Sequence, residues 1–131
     1  MLFHTFKTQE ERRQYGGSAF IELQFCDLPA GTATEDLLAI DHIQSWKNDS
    51  LYVYIDDSET FCRAYSCIFD CGTYHNGKTG VVDDCGINYY APNLTGPLLE
   101  KLVKEKPEDY EVLAAWLTRS KARNGFYILG L

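Results

Sequence analysis

The dipeptide Asn76-Gly77 constrains the fold of this chain more than any other short stretch of the sequence. Asn-Gly is the strongest two-residue signal for a β-hairpin, because both residues tolerate the positive φ angles of a tight turn. Strands should therefore lie on either side of this dipeptide and pair antiparallel. The chain is expected to contain at least one antiparallel strand pair in its middle.

Other strands and helices alternate along the chain. Apolar residues recur at every second position over 19–25, which predicts a half-buried strand with Glu22 and Gln24 on its other face. Further strands are predicted at 51–55, 86–92 and 126–131, and helices at 8–15, 34–46, 56–72, 94–106 and 107–123. This order predicts an α+β fold with a mixed, partly antiparallel sheet of about five or six strands and three to five helices. The whole chain, 1–131, should form a single compact domain.

The composition favours a globular protein of the reducing cytoplasm. No stretch approaches the roughly 20 apolar residues of a membrane span, and the first residues lack the pattern of a signal peptide. The chain has five cysteines, an odd number, and free thiols are typical of a reducing compartment. We therefore expect a cytoplasmic protein without a disulfide framework and without membrane association.

The acidic residues are concentrated in one part of the chain. Residues 27–59 contain eight acidic residues and one lysine, which gives this stretch a net charge of −7, equal to that of the whole chain. Such a field opposes direct binding to nucleic acid and favours a basic protein partner. A solvated acidic face that keeps the protein soluble is the alternative interpretation.

The predicted helix at 34–46 lies inside this acidic stretch. Helical spacing places Leu37, Ala39, Ile40, Ile43 and Trp46 on a core side. The opposite side carries Leu38 among acidic residues, which resembles an apolar anchor with an acidic rim. The predicted partner-binding residues are Glu35, Leu38, Asp41, His42, Asp49, Asp56 and Asp57.

These features predict a small, acidic, non-enzymatic protein-binding domain that needs no cofactor. Its size, charge and aromatic content are similar to those of small acidic inhibitors of nucleases, such as toxin-immunity proteins. We therefore expect an inhibitor or immunity-type protein that blocks a basic site, for example a nucleic-acid-binding site, on a nuclease or another toxin or defence protein.

The cysteines allow two further hypotheses. Cys67 and Cys71 would share one side of a helix, and with His75 and Cys85 they could hold a metal ion, although packing in the core is the preferred interpretation. The alternative function is a small hydrolase or transferase. Its site would use Cys85 with His75, or clustered aspartates such as Asp56 and Asp57 or Asp83 and Asp84. The neighbouring aspartates should raise the pKa of Cys85, which disfavours a thiolate.

Overall fold

The computed structural model describes residues 1–16, 19–44 and 46–130, and these residues form one six-stranded sheet with five α-helices. The strands are Phe20–Phe25 (β1), Leu51–Tyr54 (β2), Gly72–Tyr74 (β3), Thr79–Gly80 (β4), Ile87–Tyr90 (β5) and Phe126–Leu129 (β6). The α-helices are Gln9–Gly16 (α1), Thr34–Leu37 (α2), Ser58–Tyr65 (α3), Thr95–Glu105 (α4) and Tyr110–Ser120 (α5). The α+β class is confirmed. Each pair of neighbouring strands in the described sheet is antiparallel.

The strand order β2-β1-β6-β5-β3-β4 places the last strand of the chain in the interior of the sheet. Strand β6 pairs with β1 on one side, where Leu23 is opposite Ile128, and with β5 on the other, where Tyr90 is opposite Phe126. The predicted hairpin is present as β3 and β4, and Gly77 in its turn has a φ of 86°. Glycine suits that position because a side chain there would be strained.

One face of the sheet carries the main core beneath helices α3, α4 and α5. Strand β1 contributes Ile21, Leu23 and Phe25 to it, as the alternating pattern predicts. The indole ring of Trp116 on α5 stacks on Phe25 with ring centroids 4.1 Å apart. Complete burial of each such side chain stabilises the fold by roughly 1.5–3 kcal/mol.

The opposite face of β1 is also buried, so the prediction of a half-buried strand is wrong. Glu22 is 6% exposed and Gln24 is 3% exposed. Phe6 and Trp46 pack over this face against Phe20 and Tyr52, and the Arg12 guanidinium lies 5.6 Å from the ring centroids of both Phe20 and Tyr52. Periodicity identifies the two faces of a strand, but it does not show that distant segments cover both.

Both edges of the sheet are protected against pairing with another strand. The outer edge of β2 pairs with the segment at His4, whose amide donates to the Tyr52 carbonyl at 2.9 Å and whose carbonyl accepts from the Tyr52 amide at 2.8 Å. At the other edge, β4 has only two residues. Short or covered edges are how proteins avoid edge-to-edge association, so a partner is not expected to bind by strand addition here.

Candidate functional site

A shallow, mainly apolar groove lies between α2, with the residues that follow it, and the turn of the β3–β4 hairpin. Its volume is about 410 Å³. The lining residues are Thr34, Glu35, Leu38 and Ala39 on one side and His75, Asn76 and Gly77 on the other. The groove thus combines the acidic part of the sequence with the predicted hairpin turn.

A hydrogen bond holds the two walls of the groove together. The imidazole Nδ1 of His75 lies 2.9 Å from the carbonyl oxygen of Leu38. A carbonyl can only accept, so Nδ1 carries the proton in this contact. On the hairpin side, the turn is closed by the amide of Tyr74, which donates to the carbonyl of Lys78 at 2.7 Å. The groove is therefore fixed by local hydrogen bonds and does not depend on a partner for its shape.

Helix α2 ends at Leu37, so the predicted helix over 34–46 is wrong beyond that residue. The hydroxyl of Tyr127 donates to the Leu37 carbonyl at 2.6 Å, and the Nε2 atom of His42 lies 3.2 Å from the same oxygen. In a continuing helix this carbonyl would accept from the amide of Asp41. Two side chains occupy it instead, and the chain turns away after Leu38.

The early end of α2 reverses the predicted positions of two apolar residues. Leu38, expected to project into solvent, is 6% exposed and packs with Cys26, Tyr89 and Tyr127 beneath the groove. Ile40, expected in the core, is 62% exposed. The helical spacing of 3.6 residues per turn applies only while the helix continues, so it misassigns both residues beyond Leu37.

Three exposed acidic residues surround Ile40 in the sequence. Glu35 lines the groove, Asp36 is its neighbour on α2, and Asp41 directly follows Ile40. We call the groove together with Glu35, Asp36, Ile40 and Asp41 the α2 surface. The exposed aliphatic residue near these acids in the sequence is Ile40, whereas the predicted one, Leu38, is buried.

Two other predicted partner-binding residues have structural contacts. Asp49 forms ion pairs with Lys47 at 3.8 Å and with Arg123 at 3.5 Å, and Asp27 binds the same two basic side chains. These four charges balance, so they add nothing to the acidic field. His42 is half-buried against Tyr127, with ring centroids 5.6 Å apart, and supports the end of α2.

The remaining pair, Asp56 and Asp57, lies at the opposite edge of the sheet. Both residues follow β2, whereas the groove contacts the hairpin that begins with β3. Four strand spacings separate β2 from β3, which corresponds to about 19 Å. The acidic stretch that is continuous in the sequence is therefore divided among three places in the structure.

The predicted set of metal ligands Cys67, Cys71, His75 and Cys85 does not assemble. Helix α3 ends at Tyr65, so Cys67 and Cys71 do not share a helical face as expected. Cys67 is exposed, whereas Cys71 packs against the main core. Within the described residues, the only cluster of three or more ligand side chains is Asp83, Asp84 and Cys85. The interpretation of these cysteines as core residues therefore fits Cys71 and not Cys67.

The enzyme hypothesis with Cys85 and His75 stays a prediction. His75 bonds to the Leu38 carbonyl, and the thiol of Cys85 lies 3.5 Å from the Asp84 carboxylate. The hydrogen bond and the negative charge of Asp84 raise the pKa of Cys85. A nucleophilic cysteine needs the opposite shift, because the thiolate is the reactive form.

Sequence analysis missed the hairpin wall of the groove and the exposure of Ile40. Asn76-Gly77 predicted the turn, but no local signal showed that His75 would contact Leu38. The exposure of Ile40 follows from the contacts of Tyr127, which lies 87 positions further along the chain. A pattern within one segment does not contain that information.

Comparison with protein-family models, with curated proteins and with solved structures finds no match for this chain. Among the described residues, no helix is long and apolar enough to cross a membrane. The function must therefore be argued from the geometry and charge of the α2 surface.

Proposed function

We propose that this chain is a non-enzymatic protein-binding domain whose α2 surface binds a basic segment of a partner protein. The observation that carries the proposal is Ile40, a large aliphatic side chain that is 62% exposed and is accompanied by Glu35, Asp36 and Asp41. An apolar contact surrounded by charge is the usual arrangement of a binding hot spot and its rim.

The groove, which Ala39 lines immediately before Ile40 in the chain, suits a basic side chain. Lysine and arginine have apolar stems and charged ends, and they cover apolar surface while the charge stays near solvent or a counterion. The stem of such a residue would lie along Leu38 and Ala39, and its charge would approach the carboxylate of Glu35. This arrangement supports a basic protein segment as the ligand.

The charge of the whole chain supports the same class of partner. A net charge of −7 attracts basic proteins at long range and repels the phosphates of nucleic acids. In this proposal the chain acts as an inhibitor or immunity-type protein. It would cover a basic site, such as the nucleic-acid-binding site of a nuclease or another toxin or defence protein, and direct binding to nucleic acid has no part in its action.

Affinity capture with matched variants tests this proposal. The wild-type chain, Ile40→Ser and Val103→Ser would each be immobilised and exposed to an extract of the organism that encodes the chain, at low and at moderate salt. Val103 is a suitable control because it is an exposed aliphatic residue, 58% accessible, on helix α4. Proteins retained at each salt concentration would be identified by mass spectrometry.

We expect the wild type and Val103→Ser to retain the same basic protein, and Ile40→Ser to lose it. Retention should weaken as salt increases, because screening reduces attraction between opposite charges. A basic protein that Ile40→Ser retains as well as the wild type does would contradict binding at the α2 surface. Retention of no basic protein at either salt concentration would contradict the functional class itself.

A further inference from the structure

A second groove adjoins the α2 surface at the hairpin turn. Its volume is about 240 Å³. The lining residues are Tyr74, His75, Asn76, Asp83, Gly86 and Ile87, and we call it the Asp83 groove. His75 and Asn76 also line the groove of the α2 surface, so this two-residue segment lies between the two grooves.

Both grooves rest on the same hydrophobic cluster. Leu38, which lines the first groove, is a buried member of this cluster, and Ile87, which lines the Asp83 groove, packs against it. The hydrogen bond from His75 to the Leu38 carbonyl joins the segment between the grooves to the same part of the fold. The relative position of the two grooves is therefore fixed by the packing of the chain itself.

The Asp83 groove has its own carboxylate, which is held in a defined position. The Oδ1 atom of Asp83 accepts from the amide of Cys85 at 3.0 Å. The Oδ2 atom lies close to Gly86, where an added Cβ atom would approach it to 2.8 Å. Buried Asn88 accepts from the amide of Asp83 and donates to its carbonyl, both at 2.8 Å, and this holds the loop in place.

The two grooves present hydrogen-bond acceptors that no basic side chain of the described residues neutralises. Neither Glu35 nor Asp83 belongs to an ion pair there, and Lys78, the basic residue of the turn, lines neither groove. Because Nδ1 of His75 carries a proton, Nε2 of the neutral imidazole is a further acceptor, and it has no hydrogen-bond partner within the described part of the chain. Arginine suits such a surface best, since its guanidinium has five N–H donors and no acceptor.

We propose that the basic segment of the partner is extended and carries two arginines, at positions i and i+2, which bind on either side of the His75–Asn76 segment. One guanidinium would lie at Glu35 and the other at Asp83, and their apolar stems would cover Leu38 and Ile87. Residues i and i+2 of an extended chain share a face and lie about 7 Å apart, whereas residues i and i+1 point to opposite faces. This inference rests on the proposed function of the α2 surface and adds to it the second groove and the arginine pair.

NMR titration of the full ¹⁵N-labelled chain with three synthetic peptides tests the arginine pair. The peptides have equal length, uncharged termini and a background of glycine and serine. One carries a single arginine, one carries arginines at i and i+2, and one carries them at i and i+1. We expect the i, i+2 peptide to bind about fivefold more tightly than the i, i+1 peptide, which has the same charge, because an exposed ion pair contributes up to about 1 kcal/mol.

Two variants with the same loss of charge locate the second arginine. Asp83→Asn should abolish the preference for the i, i+2 peptide, and its amide oxygen can still accept from the Cys85 amide, so the loop should keep its shape. Asp56→Asn, which changes a residue that follows β2, should keep the preference. The dissociation constants of the three peptides would be measured for each variant and for the wild type.

The shifted amides separate failure of this inference from failure of the proposed function. Equal affinity of the wild type for the i, i+2 and i, i+1 peptides, or a preference that persists in Asp83→Asn, would overturn the arginine pair. If the amides of residues 35–41 still shift with these peptides, the proposed function of the α2 surface is retained. Absence of shifts there with every peptide would contradict both proposals. Shifts of the same amides on dilution of the chain alone would assign the grooves to a second copy of the chain and would also overturn the arginine pair.

Discussion

The carboxyl group of Glu22 is buried on the second face of the sheet, where the sequence pattern predicted exposure. Gln24 Nε2 donates to it at 2.8 Å and Ser50 Oγ at 2.7 Å. Burial raises the pKa of Glu22, and this effect exceeds the opposite effects of the hydrogen bonds and of the Arg12 charge. A protonated carboxyl is therefore favoured in the fold over a wider pH range than in the unfolded chain.

Replacement of this carboxyl should remove a pH-dependent loss of stability. The unfolded Glu22 ionises near pH 4.3, about its usual pKa, and the folded Glu22 ionises at a higher pH. Between these values the folded state holds more protons, so the free energy of unfolding decreases as pH rises. We expect Glu22→Gln to match the wild type below about pH 4 and to gain stability relative to it as pH increases through this window.

Chemical unfolding of both proteins across this pH range measures the effect. Glu59→Gln is the control, because it removes an exposed carboxylate whose one ion pair among the described residues is with Arg63. A stability difference between Glu22→Gln and the wild type that is the same at every pH would contradict the linkage.

Substitution by alanine should lower the free energy of unfolding more at Leu38 than at Ile40. Leu38→Ala empties a buried position among Cys26, Tyr89 and Tyr127 and should cost roughly 2–5 kcal/mol. Ile40→Ala changes an exposed side chain and should alter the free energy of unfolding by no more than about 0.5 kcal/mol. Thermal and chemical unfolding of the two variants measures both values. A larger loss of stability in Ile40→Ala than in Leu38→Ala would instead support the helix predicted over 34–46.

At the scale of elements, the end of helix α2 depends on strand β6. Tyr127 on β6 donates its hydroxyl to the Leu37 carbonyl, and this contact turns the chain toward Ile40. The geometry of the α2 surface is therefore set by a residue that does not belong to it.

Tyr127→Phe should loosen the segment that follows α2 and leave the sheet intact. Loss of one hydrogen bond costs about 1 kcal/mol, and the ring remains to fill its place in the core. We expect faster hydrogen exchange at the amides of Leu38 and Ile43, which donate to the carbonyls of Thr34 and Ile40.

The matched control for this element is Tyr89→Phe. Tyr89 packs beside Tyr127 with ring centroids 5.2 Å apart, but its hydroxyl donates to the Asn124 carbonyl at 2.6 Å. The control should leave exchange at Leu38 and Ile43 unchanged. Equal acceleration in both variants would mean that the end of α2 does not depend on the Tyr127 hydroxyl.

At the scale of the whole molecule, the fold redistributes the acidic charge. The acids at Asp27 and Asp49 are balanced by Lys47 and Arg123, whereas those of the α2 surface have no ion pair among the described residues. Asp56 and Asp57 also have no ion pair among the described residues, but they lie beyond β2 at the opposite edge of the sheet, so a partner bound at the α2 surface should be attracted mainly by the carboxylates of that surface. Removal of a charge from the α2 surface should therefore affect the association rate differently from removal of a charge elsewhere.

Glu35→Gln and Asp41→Asn should each slow association with the partner of the proposed interface and reduce its salt dependence, because charges at the rim steer encounter. Asp56→Asn removes the same charge beyond β2, which lies four strand spacings, about 19 Å, from the β3 strand of the groove's hairpin wall. At about 0.15 M salt the Debye length is roughly 8 Å, so the association rate should change little. Rates from surface plasmon resonance at several salt concentrations compare the three variants. Equal slowing by all three would indicate a general effect of net charge.

The sequence by itself determined the fold class and most of the elements. Asn76-Gly77 and the short β-branched and aromatic runs define the hairpin and the strands, because turn geometry and strand propensity depend on adjacent residues. The two helices near Pro107 were predicted for the same reason. The composition of the candidate site, acids around one aliphatic residue, was also predictable within 34–46.

Only the tertiary structure decided which side chains that site exposes. Tyr127 and His42 end α2 at Leu37, and His75 supplies the second wall of the groove. Glu22 is buried by residues that precede β1 in the chain and by residues that follow it. The contact of Cys62 with Asp84 likewise depends on how α3 packs beside the loop between β4 and β5. Each of these contacts joins segments far apart in the chain, and hydrophobic periodicity reports which face of an element is apolar, not what will cover that face or where a distant side chain will end the element.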